Sequence, residues 1–178
     1  MSATRVRTAV VATVLAAGCL TTASAVAHDD GDAGNTRLTG FEEVPAVSTD
    51  GRGLIQVWVN RSDRQITYRL TYGEMSGETV QAHIHFAQQS VNGGVAAFLC
   101  ADDPAAPGDP PTCPDRGTVT GTITPGDVIG PAVQGIAARE FDELVEAMRA
   151  GVTYANVHTE PFPNGEIRGQ IPGQHDDD

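Results

Sequence analysis

Thr79-Val-Gln-Ala-His-Ile-His-Phe86 reads as a β-strand carrying two histidines one residue apart. Successive side chains of a strand point to opposite faces, so Val80, Ala82, Ile84 and Phe86 share one face and Gln81, His83 and His85 the other. Two strand steps separate the His83 and His85 Cα atoms by about 6.6–7 Å, with both imidazoles on the same side. Tyr154-Ala-Asn-Val-His-Thr159 reads as another strand and adds His158. Neutral imidazole is a ligand for copper, zinc, nickel and iron, and three such ligands leave an open position. His83, His85 and His158 are therefore a candidate transition-metal site, with copper expected first and zinc second. Glu166, Asn156 or a water is the candidate for the remaining position. Asn156 shares a strand face with His158 and is also a candidate to fix an imidazole tautomer. The competing reading makes the histidines structural, hydrogen-bonded to backbone or carboxylates.

Outward from that strand the chain reads as short strands and tight connections. Thr36–Phe41 is a first strand, and Pro45 and Asp50-Gly51 break the turn-rich segment that follows. Gly53–Asn60 and Arg64–Tyr72 are joined by Arg61-Ser-Asp63 as a hairpin. The second of these alternates cleanly, with Ile66, Tyr68, Leu70 and Tyr72 on one face and Gln65, Thr67, Arg69 and Thr71 on the other. Trp58 is expected in the core. Asn92-Gly-Gly94 is a turn signal ahead of Val95–Leu99. Gly117–Thr124 alternates again, and Val152–Thr159 and Gly165–Ile171 close the chain. Between them, Phe141, Leu144, Val145 and Met148 follow helical spacing, with Gly151 as the C-terminal stop of a helix over Glu140–Ala150. The pattern predicts an all-β fold, an antiparallel β-sandwich or Greek-key barrel with one short helix. Each sheet is expected to turn one face to the core and one to water or a partner.

The N-terminal stretch pairs Arg5 and Arg7 with the apolar run Ala9–Leu20 and small-residue cleavage sites ending at Ala25 and Ala27. That is the pattern of a secretory signal peptide over residues 1–27, its apolar run too short to span a bilayer. Lipid attachment at Cys19 is the minority alternative. No later stretch is apolar enough to cross a membrane, so the expected setting is secreted or at the cell envelope. Residues 28–35 and 172–178 read as acidic, disordered ends. From His28 onward, 9 basic residues face 23 acids, a formal charge of −14, which argues against nucleic acid and anionic membrane surfaces as partners. Cys100 and Cys113 flank a segment with four prolines and no periodicity, and in an exported protein such a pair reads as a disulfide. No serine or cysteine stands in a nucleophile context, and no glycine-rich phosphate loop opens a helix.

Several stretches, in order, resemble the CHRD (chordin-type) domain: Leu38–Val47, Gly51–Val59, Ala82-His-Ile-His85, Asn92-Gly-Gly94, Tyr154–Thr159 and Pro163–Gln170. The resemblance runs from about Thr36 to Ile171 and implies an immunoglobulin- or superoxide-dismutase-like fold in an extracellular setting. It implies no reaction. A more distant likeness, in the order His-x-His, later histidine, terminal arginine, is to the copper site of copper/zinc superoxide dismutases, with His83, His85, His158 and Arg168 as counterparts. The domain lacks a fourth histidine and a zinc cluster, so that likeness implies a copper cup alone. Glu166 and Arg168 alternate on one strand face and are expected to pair with each other or to hydrogen-bond the sheet lip. Three functions follow as expectations. The first is an exported binding protein with a three-histidine metal site. The second is an extracellular interaction module with structural histidines, and the third a copper-dependent oxidoreductase.

Overall fold

The computed structural model describes residues 32–173. The expected signal peptide with Cys19, residues 28–31 of the leader and residues 174–178 of the tail lie outside the described residues. Eight strands form: β1 Asp32–Thr39, β2 Arg52–Asn60, β3 Gln65–Gly73, β4 Thr79–Phe86, β5 Gly94–Ala101, β6 Gly117–Ile123, β7 Thr153–Thr159 and β8 Ile167–Ile171. One helix, α1 Phe141–Arg149, precedes β7. The strands make a single sheet in the order β5-β4-β7-β8-β1-β2-β3-β6, antiparallel at every junction.

That sheet curls until its edges meet. The seam between β8 and β1 is one bridge, Thr39 opposite Arg168, so the sheet divides into two four-stranded leaves that face each other across the core. Edge strands β5 and β6 approach on the far side, where the Cys100–Cys113 disulfide ties the end of β5 to the segment before β6. Tyr68 also crosses from β3 and donates its hydroxyl to the Leu99 carbonyl of β5 at 2.6 Å. Gly121 lies opposite Tyr68 in the β3–β6 ladder, and a Cβ there would sit 2.2 Å from the Tyr68 oxygen. The missing side chain is what lets the tyrosine lie flat across the opening.

Period-2 alternation builds the core. Ile66, Tyr68, Leu70 and Tyr72 are buried and their alternates exposed, as the sequence predicts for β3. Ile55, Val57 and Val59 take the inner parity of β2, which puts Trp58 outside. The expected core position of Trp58 is thereby corrected. α1 sends Phe141, Leu144, Val145 and Met148 into the same cluster. Arg64, in the β2–β3 turn, covers the Phe141 ring at 5.7 Å and pairs with Asp142 at 3.1 Å. β1 begins at Asp32 rather than Thr36, because Asp32–Asn35 pair in register with Gln56–Val59. A backbone ladder needs no apolar side chains, so composition concealed this part of the strand.

One difference matters for function. β4 and β7 are buried on both faces, with every residue of Thr153–Thr159 buried. The outer face expected to meet water is roofed by loops. Replacing both cysteines, Cys100→Ala/Cys113→Ala, should remove about 3 kcal/mol of unfolding free energy in denaturant titration, the chain-entropy value for a closed loop of this size. An unchanged midpoint would mean that core packing and Tyr68 close the sheet without the bridge.

Candidate metal centre

β4 and β7 are neighbours, and their register sets the site. His83 stands opposite Asn156, His85 opposite Tyr154 and Gln81 opposite His158, so His158 lies diagonally across from His83 on the outer face. Two irregularities in the β4–β5 ladder, at Ala82/His83 and Ile84/His85, bracket the histidines; bulges of this kind re-aim side chains. One ring nitrogen from each of His83, His85 and His158 lies within 4.8 Å of the other two. His83 Nδ1 is 3.1 Å from His158 Nε2. His85 stands farther off, its ring centroid 5.3 Å from His83 and 6.0 Å from His158, against 4.9 Å between His83 and His158. Phe98 of β5 closes the side of the cluster, edge-on to His83 at 4.4 Å.

The backbone fixes two of the three tautomers. His85 Nδ1 donates to the Gly93 carbonyl at 3.0 Å and His158 Nδ1 to the Pro163 carbonyl at 3.1 Å. Each ring then holds its proton on Nδ1; the His85 Nε2 lone pair is free, while His158 Nε2 faces His83 Nδ1 at 3.1 Å. His83 Nε2 and His85 Nε2 are buried without a hydrogen-bond partner. Burial, reinforced by the neighbouring rings, lowers the His83 pKa to about 2 and the His85 pKa to about 4. Burial lowers His158 as well, against the bond to Pro163. All three imidazoles are neutral at pH 7, which is the form that binds metals.

Three segments make the roof, the β4–β5 loop, the segment after β1 and the β7–β8 turn with Pro163, and the layer beneath is hydrogen-bonded to them. The β4–β5 connection, with Asn92-Gly-Gly94 as the expected turn at its end, is a seven-residue loop, Ala87–Gly93. Gly93 packs so closely on the end of β4 that a Cβ would lie 1.9 Å from the Phe86 oxygen. Its N–H is received by the Tyr154 hydroxyl at 3.2 Å, and its carbonyl holds His85. Tyr154 in turn stacks on His85, with centroids 4.7 Å apart and rings 5° from parallel. Arg168 covers the Tyr154 ring at 3.4 Å and donates to Asn92 Oδ1 and the Val91 carbonyl. Asn92 Nδ2 reaches the Val44 carbonyl at 2.9 Å, which joins this loop to the segment after β1.

Two expected roles change. Glu166 and Arg168 do not pair with each other: Glu166 Oε1 accepts from Thr49 Oγ1 and from the Ser76 N–H and hydroxyl, and Oε2 from Thr159 Oγ1. Both oxygens are therefore engaged on the sheet lip, and Glu166 is no fourth ligand. Burial alone would raise its pKa, but these bonds outweigh burial and hold it below the ordinary carboxylate value. Asn156 lies between His83 and Arg168 in the ladder but turns to Glu43, and the backbone carbonyls fix the imidazole tautomers in its place. A Cβ on Gly165, whose φ is +119°, would sit 2.6 Å from the Asn156 amide and 2.7 Å from Glu43 Oε1.

Compared with known protein families, the chain matches the CHRD domain over residues 35–171. The chain belongs to the CHRD family. Neither the curated proteins nor the solved structures compared with it give a match. The stretches that carry the CHRD resemblance are largely the ones that build this layer: Glu43 and Val44, His83 and His85, Asn92 and Gly93, Tyr154 to His158, and Pro163 to Arg168. Sequence reasoning missed Glu43 and Tyr154 as members of the CHRD polar layer. Tyr154 was readable, since it shares the strand parity of Asn156 and His158. Glu43 lies in a turn, where parity says nothing.

Burial pushes the Glu43 carboxyl up to about 7, against the opposing pull of Arg168. The pH dependence of stability follows from these shifts. Below the ordinary histidine value of 6.5 the unfolded chain takes up protons that the folded rings refuse, down to about 4 at His85 and about 2 at His83. Stability from the rings is therefore intact above pH 6.5 and lost on acidification. Glu43 runs the other way, contributing below its ordinary 4.5 and losing that contribution as pH rises through about 7. Three rings outweigh one carboxyl, so the melting temperature should fall as pH drops from 6.5 to 4. A His83→Ala/His85→Ala/His158→Ala variant should show a flatter profile. A flat profile in the parent protein would contradict a neutral buried cluster.

Proposed function

We propose that this CHRD domain is an exported metal-holding module, with His83, His85 and His158 as ligands and copper favoured over zinc. One observation carries the reading: two rings have their Nδ1 protons committed to backbone carbonyls, which leaves Nε2 as the nitrogen that each can offer to a metal in a buried three-histidine group. Buried polar atoms without partners are uncommon, and His83 Nε2 and His85 Nε2 are two of them. A metal is a partner that absorbs such lone pairs. The residues fit the group: three neutral imidazoles suit copper, which stands above zinc in divalent affinity. Tetrahedral metal–nitrogen bonds of about 2.0–2.1 Å place ligand nitrogens roughly 3.4 Å apart. His83 Nδ1 and His158 Nε2 stand 3.1 Å apart, near that spacing; ligation through the unpartnered His83 Nε2 would instead need that ring to turn, and His85 has to tilt inward in either case.

The rings are 3%, 7% and 5% exposed, which suits retention of a metal better than turnover of a substrate. A bound copper supplies Lewis acidity and one-electron chemistry; this chain's residues hold it, fix its ligands' tautomers and exclude water. The Cys100–Cys113 disulfide supports an oxidising compartment, in line with the expected signal segment. The second reading rests on the same 3.1 Å contact, which without metal is a hydrogen bond between His83 and His158. It makes the histidines architectural and the domain an extracellular interaction module.

Metal analysis of the purified protein, with copper and zinc titrations against a competing chelator, separates the two. One equivalent of copper, held at least tenfold more tightly than zinc and lost in the folded triple-alanine variant, is the expected result. No bound metal in the parent, with a lowered melting temperature in the variant, would assign the histidines to architecture.

A further inference from the structure

The outer face of the other leaf is bare. On β1, β2, β3 and β6 the outward parity brings Arg37, Leu54 and Thr71 into one row across the strands, and Trp58 opposite Thr67 in another. Arg69 projects between these rows, and the β6 positions of the same parity, Thr118, Thr120 and Thr122, are exposed threonines. Leu54 and Trp58 are each 39% exposed, which is unusual for a lone tryptophan in a chain with only 5% aromatic residues. A depression of about 590 Å³ opens along Arg37, Arg52, Leu54 and Thr71, with Glu74 at its edge. No aspartate or glutamate occupies an outward position between Asn35 and Thr39 or on the other three strands; Glu74, which pairs with Arg52, lies just beyond β3. In a chain of net charge −12 this face is the basic exception.

We propose that this leaf binds an acidic polysaccharide, a polymer of uronic acid units. The chemistry of each group matches that ligand. Guanidinium groups pair with carboxylates in a planar, bidentate geometry. An exposed indole offers an apolar face, on which the C–H face of a sugar ring can lie. Threonine and glutamine side chains repeat across strands about 4.8 Å apart, a hydroxyl and amide ladder for sugar hydroxyls. Single-stranded nucleic acid shares the negative charge, but its binding proteins supply a run of aromatic platforms in a basic groove. Here Trp58 stands alone: Tyr68 and Tyr72, the other aromatic residues of these strands, point into the core. The face lies on the leaf opposite the histidine layer, so binding there does not depend on the metal reading.

The test is affinity electrophoresis of the purified protein through gels containing polygalacturonate, neutral dextran or oligothymidine, beside the exposed-site variants Trp58→Ala and Arg69→Ala. Polygalacturonate is expected to retard the parent, with about tenfold weaker binding in Trp58→Ala, the size of one lost aromatic stack. Dextran should leave mobility unchanged. No retardation by polygalacturonate, retardation unaltered in both variants, or oligothymidine bound as tightly would each overturn the assignment.

Discussion

The constraint on which the rest depends is that β4 and β7 bury their outer, polar face as well as their inner, apolar one. A buried donor or acceptor left without a partner costs about 1–3 kcal/mol, so a roof over such a face has to supply partners atom by atom. The three covering segments do this largely with backbone. The Gly93 and Pro163 carbonyls accept hydrogen bonds from Nδ1–H of His85 and His158, and the Val91 carbonyl accepts one from the Arg168 guanidinium. Rigid carbonyls cannot change tautomer or rotamer, which is why the imidazole protons have defined places.

The charges under the roof are arranged with similar economy. Arg168 is 1% exposed and is held by the Tyr154 ring, Asn92 and Val91. Glu43 is the acid that feels its field, yet burial outweighs that pull and raises the carboxyl to about 7. Glu166 takes the opposite course: four hydrogen bonds keep it ionised at the lip of the sheet, where it gathers the segments bearing Thr49, Ser76 and Thr159. Two carboxyls of one small domain thus shift in opposite directions, because burial dominates at Glu43 while hydrogen bonds outweigh it at Glu166.

Much of this was legible in the chain. The strands from Arg52 to Ile123 and from Thr153 to Ile171 fall where alternation places them, and the helix follows its apolar spacing. The histidine triad was legible too, because His83 and His85 share a parity and His158 lies on a second strand. Trp58 was misread because hydrophobic character outweighed parity: Val57 and Val59 already claimed the inside. Glu166 and Arg168 share a parity, but the turn at Gly165 sends the glutamate to the lip while the arginine turns along the sheet. Parity assigns a face and not a direction within it.

By itself the sequence determined the all-β class, the alternation that separates core from surface, the disulfide partners and the family. Each of these rests on local periodicity, on motif order or on the two cysteines that lie outside the expected signal segment. The tertiary structure alone decided that β4 pairs with β7 with His158 diagonal to His83, since strand order depends on contacts far apart in the chain. It also decided that loops cover the outer histidine face, because a loop's resting place is set by the hydrogen bonds it meets there. That cover is what buries the three imidazoles, keeps them neutral and fixes the tautomers of His85 and His158.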